Sequence, residues 1–255
     1  MSERGLFGAQ AGDYRAFRPV WPAEVFTHIM ERTAAPRRRA LDLGAGTGLV
    51  AARLLEHFEE VVALEPDARM LAQIEPRPGL ATVNARAEEA RFDRHGFDLV
   101  TAGNAFHWMD GAAVLERVNE WLAPRGTVAL FKYNPPHAAE GALEELLTHE
   151  YDVVWREHVH ARLRDLDFTR RTFAASRFGA RMEFHRIPND LALTRAELLG
   201  FLRSTSYGGG YARSRTDPED YWRDLEARIL AGAGPGPFVL DFHVDLFVSK
   251  KSAKA

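Results

Sequence analysis

The chain has 255 residues, 46% hydrophobic and 27% charged, enough apolar material for the core of an α/β domain. A net charge of -3 leaves no basic stripe to neutralise a phosphate backbone, so no nucleic-acid partner is expected. The absence of cysteine excludes disulfides, thiolate zinc sites and a cysteine nucleophile, and a polar start (MSERGLFGAQ) without any long apolar run predicts no membrane span and a cytoplasmic protein.

In chain order, strands are predicted at Ala40 to Leu43, Glu60 to Glu65, Ala81 to Asn84, Phe97 to Ala102 and Gly126 to Tyr133. Helices are predicted between them at Leu49 to His57, Asp67 to Ile74 and Ala112 to Leu122, the last stopped by Ala123-Pro124-Arg125-Gly126. Short β-type runs alternating with helical segments indicate a parallel sheet with crossover helices. Pro135 and Pro136 break this rhythm, and a charged, aromatic helix is expected over roughly Glu140 to Arg164. A strand at Met182 to Ile187, a helix N-capped by Thr194 and a last strand at Phe238 to Val248 close the chain, with AGAGPGP before Phe238 read as turn punctuation. The expected fold is α/β: a Rossmann-like, seven-stranded, mostly parallel sheet with helices on both faces and a helical cap insertion. It is read as a single domain, with residues 36–133 as the cofactor-binding half and 134–255 as cap helices and last strands on the substrate side.

The segment LDLGAGTG places Gly44, Gly46 and Gly48 between a strand and a helix, where open α/β sheets bind ligands. Glycine admits backbone conformations and close approaches that a side chain would block. A dinucleotide fingerprint requires G-x-G-x-x-G, but Leu49 stands where its third glycine belongs, and the spacing favours S-adenosylmethionine over NAD. Asp42 is a carboxylate at an otherwise apolar strand end, suited to the amino acid part of such a ligand. Glu65 lies about twenty residues beyond the loop, where an acid can accept hydrogen bonds from both ribose hydroxyls, or else cap the following helix. Pro66 and Met70 would then lie near the adenine.

Taken in order, LDLGAGTG, LEPDARML, ARAEEA and FDLVTAGNAFHWMD resemble the motifs of the class I S-adenosylmethionine-dependent methyltransferases. YRAFRPVWP resembles the N-terminal segment of the trans-aconitate methyltransferase-like subgroup, with Trp21 where that subgroup usually has tyrosine. The resemblance runs from about Phe7 to Tyr133 and is only general beyond Pro135. It implies that Tyr14 and Arg18 close over the methionine part, with Arg18 on its carboxylate. It further implies that Asp42 and the glycine loop hold the amino acid and ribose side, that Glu65 takes the ribose hydroxyls, that Ala87 and Glu88 edge the adenine, and that Asn104 faces the methionine amine.

His107 and Trp108 follow the fourth strand, where this fold presents its acceptor. A neutral His107 is a candidate general base, and Trp108 and Tyr133 are candidates to flank the sulfonium through cation–π attraction. Tyr133, Asn134 and His137 after the fifth strand, Trp155 and His158 in the long helix, and Arg203, Tyr207 and Tyr211 around a Gly208-Gly209-Gly210 hinge are candidates for the substrate side. No metal is expected, because His158 and His160 at i and i+2 do not share a helix face. The expected activity is methyl transfer to a small molecule in a closed pocket, with S-adenosylhomocysteine as product. Breakdown of the cofactor to methylthioadenosine on the same fold and a cofactor-binding protein without catalysis stay open as alternatives, and an NAD oxidoreductase is disfavoured by the glycine spacing.

Overall fold

The computed structural model describes residues 16–139 and 141–252. Its elements run α1 (Ala23–Arg32), β1 (Arg39–Leu43), α2 (Leu49–Leu54), β2 (Glu60–Leu64), α3 (Ala68–Leu71), β3 (Leu80–Val83), β4 (Phe97–Gly103), α4 (Gly111–Trp121) and β5 (Leu122–Tyr133). After β6 (His137–Ala138) come α5 (Ala142–His149), α6 (Ala161–Arg164), α7 (Phe168–Ala174), β7 (Glu183–Ile187), β8 (Asp190–Leu193), α8 (Arg195–Ser204), α9 (Gly208–Ser214), α10 (Pro218–Ala233), β9 (Phe238–Asp241) and β10 (Val244–Lys250). These elements fall into two compact units, one holding Trp21–Tyr133, Asp165–Ile187 and the chain from Val244, the other Asn134–Arg164, Pro188–His243 and the described residues up to Val20.

The first unit is a seven-stranded sheet in the order β3-β2-β1-β4-β5-β10-β7. Strands β1 to β5 pair in parallel, and β10 runs antiparallel to both β5 and β7. This is the expected seven-stranded, mostly parallel sheet. Its inner strands β1, β2 and β4 are mostly apolar and buried at nearly every position because both faces are covered there. On one face Ala40, Val61, Ala63 and Leu99 pack with Val25, Phe26 and Ile29 of α1 and with Val50 and Leu54 of α2. On the other, Leu41, Leu43, Val62 and Val100 pack with Val114, Leu115 and Val118 of α4 and with Phe173 of α7. Helix α1 was not among the predicted elements, although its buried residues Val25, Phe26, Ile29 and Met30 form one helical stripe. Strand order reverses between β1 and β4, so the loops leaving these two strands share the switch point where such sheets bind ligands.

The second unit carries a three-stranded antiparallel sheet, β6-β9-β8, with helices α5, α8, α9 and α10. Three expectations are corrected here. The long helix over Glu140 to Arg164 is instead α5, a π-helical turn at Glu150–Val154, a 3-10 turn at Arg156–His158 and α6. The break starts at Glu150, which is wholly buried and accepts hydrogen bonds from Tyr221 Oη (2.5 Å) and Arg228 (2.7 Å). The single last strand is two strands in different sheets, β9 and β10, separated at Phe242 and His243, where the Asp241 carboxylate accepts from His243 N at 2.7 Å and turns the chain. The triglycine is not a hinge but the first turn of α9, tied down by Gly208 N–H donating to Thr205 Oγ1 at 2.9 Å. Thr194 caps α8 as expected, in a reciprocal capping box with Glu197.

Candidate functional site

The loop between β1 and α2 is built for close approach. Gly44, Gly46 and Gly48 all adopt left-handed conformations, with φ of 64°, 57° and 84°. At Gly44 the requirement is also steric, because a Cβ there would sit 2.5 Å from Ala105 Cβ in the loop after β4. The glycine thus lets the loop press against the exit of β4 as well as providing its turn.

Glu65, at the end of β2, is the strut of this loop. Its Oε2 accepts from Gly46 N and its Oε1 from Asp67 N, both at 2.9 Å, while Asn84 Nδ2 donates to its carbonyl at 2.8 Å. Burial pushes its carboxyl above the usual range, against the pull of these backbone donors. Glu65 therefore orders the glycine loop and the turn into α3. The N-cap of α3 itself is Asp67, whose side chain accepts from Arg69 N.

Asp42 is the more exceptional group. It is 1% exposed, its Oδ1 accepts from Thr101 Oγ1 at 2.8 Å, and its Oδ2 is buried with no hydrogen-bond partner. Burial pushes its carboxyl up to about 7, opposed by the Thr101 hydroxyl, helped by the charge of Glu65, and opposed least by the amide of Ala51, whose N–H forms no hydrogen bond to Oδ2. A buried carboxylate oxygen without a donor is costly, and a cationic or N–H donor supplied by a ligand would satisfy it. Thr47, inside the glycine loop, likewise has a buried hydroxyl with no partner. Neither Thr47 nor Thr101 nor Asn84 stands out in the sequence: each is an ordinary polar residue whose meaning depends on a neighbouring strand.

Asn104 has a positive φ of 54°, and its N–H donates to Phe131 O at 2.8 Å, fixing the exit of β4 beside β5. Ala87 is buried in the apolar cluster with residues of β4 and α4. Glu88 Oε1 accepts from Asp110 N at 2.8 Å, linking the loop after β3 to the entry of α4. Met70 is buried and Pro66 exposed. His107, in a 3-10 turn over Phe106–Trp108, is buried, with its ring 4.9 Å from Trp108. Tyr133 packs against Trp21 (5.3 Å between centroids), which also meets Phe131 edge-on at 4.7 Å.

The structure thus brings Asp42, the three glycines and Glu65 together at the switch point of the sheet, with Asn104 on the adjoining exit of β4. Arg18 belongs to the second unit, where it donates to Ser204 O at 3.1 Å and lies over the Phe201 ring; Tyr14 lies outside the described residues. In that unit Arg203 spends its guanidinium on Glu219 (3.0 and 3.1 Å) and stacks over Trp222. Tyr207 is buried between Tyr151 and Trp155, and Tyr211 packs edge-on against Tyr221 and accepts from Arg215. Asn134 Nδ2 lies 3.5 Å from His243 Nε2. Among the described residues, no cluster of His, Cys, Asp or Glu could hold a metal ion, and no helix is long and apolar enough to cross a membrane.

Residues 41–130 match the family model of a methyltransferase domain. Over 125 residues the chain is 36% identical to an uncharacterized methyltransferase of Mycobacterium tuberculosis H37Rv, covering 49% of this chain and 50% of that protein. Over 154 residues it is 25% identical to a Saccharomyces cerevisiae protein named as a probable S-adenosylmethionine-dependent methyltransferase, covering 57% and 52%. The chain spans about half the length of the curated relatives it matches. Among solved structures, a candidate type II methyltransferase from Anaeromyxobacter dehalogenans superposes with a TM-score of 0.75 at 21% identity, over 92% of this chain and 99% of that one. A Haemonchus contortus phosphoethanolamine N-methyltransferase, solved with phosphomonomethylethanolamine and S-adenosylhomocysteine, superposes with a TM-score of 0.56 at 16% identity, over 96% and 57%. At such identities these two show a shared fold.

Proposed function

We propose that this chain uses S-adenosylmethionine to methylate a small-molecule acceptor, a reading supported by the match of residues 41–130 to the methyltransferase domain model and by the fold shared with solved methyltransferases. The observation that carries the reading is the unpartnered, buried Oδ2 of Asp42 beside a loop of three left-handed glycines. The α-ammonium of S-adenosylmethionine is a donor of the right charge for that oxygen, and a backbone free of side chains is what a nucleoside needs alongside it. The donor set fits the group.

In this reading Asp42 accepts from the ammonium, and the carbonyl of Asn104 shares it. Glu65 receives the ribose hydroxyls: a carboxylate has about four lone-pair sites, so each oxygen keeps capacity after accepting one backbone N–H. Pro66, Met70, the backbone of Ala87 and the carboxylate of Glu88 edge the adenine. When bound, S-adenosylmethionine supplies a methyl group on a sulfonium, a strong electrophile that needs little acid catalysis. His107 is the group proposed to hold the acceptor's proton, and Trp108 and Tyr133 to present aromatic faces to positive charge. A net charge of -3 supports an acceptor other than a polyanion.

Calorimetric titration with S-adenosylhomocysteine and with NAD tests the cofactor: heat from the first and none from the second is expected, and the reverse overturns the reading. The nucleoside product tests the reaction. S-adenosylhomocysteine formed only when an acceptor is present supports transfer, while methylthioadenosine formed without one refutes it.

A further inference from the structure

We propose that Thr101 is a positioning residue for cofactor capture: its hydroxyl holds Asp42 Oδ1, which leaves Oδ2 as the acceptor for the cofactor's ammonium. The inference rests on the cofactor reading above and adds to it a residue that no ligand need touch.

Asp42 and Thr101 are directly opposite in the parallel pairing of β1 and β4, so their side chains share one face of the sheet. Thr101 is wholly buried, in a strand where Leu99, Val100 and Ala102 are its buried neighbours. Valine would fill the same volume there without a hydroxyl to satisfy, so the threonine is explained by its bond to Asp42. The Oγ1 to Oδ1 distance is 2.8 Å, and Leu41 O lies at a longer 3.4 Å from the same hydroxyl.

One hydroxyl proton and two acceptors make Thr101 a rotor that follows the state of Asp42. With Asp42 ionised, the hydroxyl donates to Oδ1. With Asp42 neutral, its acid proton is donated to Oγ1 and the hydroxyl turns to Leu41 O. An incoming ammonium selects the first state, and the proton on Asp42 leaves to solvent as the ion pair forms. The charged group acting on Asp42 is Glu65 from the end of β2, which disfavours a second anion; α2 contributes the amide of Ala51, and β4 the uncharged Thr101. Thr101 is therefore the side chain that opposes both burial and Glu65.

A charge-assisted hydrogen bond is equivalent to about one to two pKa units. Thr101→Val should raise the midpoint of the pH dependence of S-adenosylhomocysteine binding by about that much and weaken binding at pH 7 by roughly five- to fiftyfold. Thr101→Ser should restore both to within about threefold of wild type. The experiment is calorimetry with S-adenosylhomocysteine from pH 5.5 to 9 on wild type, T101V, T101A and T101S, alongside carboxyl carbon NMR titration of Asp42 in the ligand-free proteins. A raised Asp42 midpoint in T101V or T101A, rescued by T101S, supports the proposal. Equal midpoints in wild type and these variants overturn it, whether read by ligand or by NMR. No heat from wild type at any pH overturns the cofactor reading instead, and the NMR titration then decides the Thr101–Asp42 coupling by itself.

Discussion

Replacing Glu65 separates its structural role from its proposed ribose contact, because it holds the glycine loop before any ligand arrives. Glu65→Ala removes two charge-assisted hydrogen bonds, from Gly46 N and Asp67 N, each 2.9 Å long. Bonds of this kind are worth about 1.5 to 3 kcal/mol each. Part of that is offset, since a buried carboxylate whose protonation is favoured by burial also carries a desolvation cost that alanine lacks. A net loss of about 1 to 3 kcal/mol is expected for the ligand-free protein, equivalent to roughly 2 to 12 °C in melting temperature for a chain of this size. Affinity for S-adenosylhomocysteine should fall about ten- to a hundredfold from the lost ribose contacts alone. Glu65→Gln should lose much of the same stability, because its amide nitrogen must face one of the two N–H donors. Thermal unfolding without ligand and calorimetry with S-adenosylhomocysteine measure the two effects separately. If the ligand-free variants melt with wild type, Glu65 is no strut of the loop; if the dissociation constant is unchanged, it is no ribose ligand.

Four further outcomes follow from the structure. The folded protein holds a proton on Asp42 up to about pH 7 that an unfolded aspartate gives up near pH 4, so this group's contribution to ligand-free stability declines as pH rises between the two. Over the same group, affinity for a ligand bearing an ammonium should rise about tenfold from pH 6 to pH 8 and then level off, with close to one proton released at pH 6 in calorimetry across buffers of different ionisation enthalpy. Gly44→Ala forces a Cβ to 2.5 Å from Ala105 Cβ at a left-handed φ, and should destabilise by about 1 to 3 kcal/mol in denaturant titration while weakening S-adenosylhomocysteine binding; an alanine variant as stable as wild type would refute the close-packing argument. Glu150→Ala removes the acceptor of the Tyr221 hydroxyl and one of the two carboxylates paired with Arg228, the other being Asp224, and should cost about 1 to 3 kcal/mol by the same titration, with Glu150→Gln costing less because it keeps an acceptor oxygen. Equal losses in the two would show that charge rather than hydrogen bonding holds the π-helical turn.

What was legible in the sequence divides by the range of the contact that decides it. Strands β1 to β5, the glycine loop and Glu65 are specified by neighbours within a few residues: apolar runs, turn glycines, and a carboxylate at a strand end. The mostly parallel sheet follows from that rhythm. Where a distant partner decides, local reading fails. The predicted helix over Glu140 to Arg164 has unbroken helical composition, yet Glu150 is drawn into the interior by Tyr221 and Arg228, 71 and 78 residues away, and the helix pays with a π turn. Phe238 to Val248 reads as one apolar run because Asp241 turns the chain with a side chain and needs no glycine or proline there. The triglycine reads as flexible, yet a Cβ at Gly208 would meet Leu202 O at 2.7 Å, so smallness rather than flexibility is what the position uses. The candidate site obeys the same rule. Asp42 and Glu65 announce themselves beside the glycines, but Thr101 is 59 residues from Asp42 and becomes meaningful only through the β1–β4 register, which no local pattern encodes. Glu65 is held by backbone donors inside the motifs, Gly46 and Asp67, whereas Asp42 is held by Thr101, a residue that the β1 motif leaves out because a motif records the groups at the loop and not the neighbouring strand that braces them.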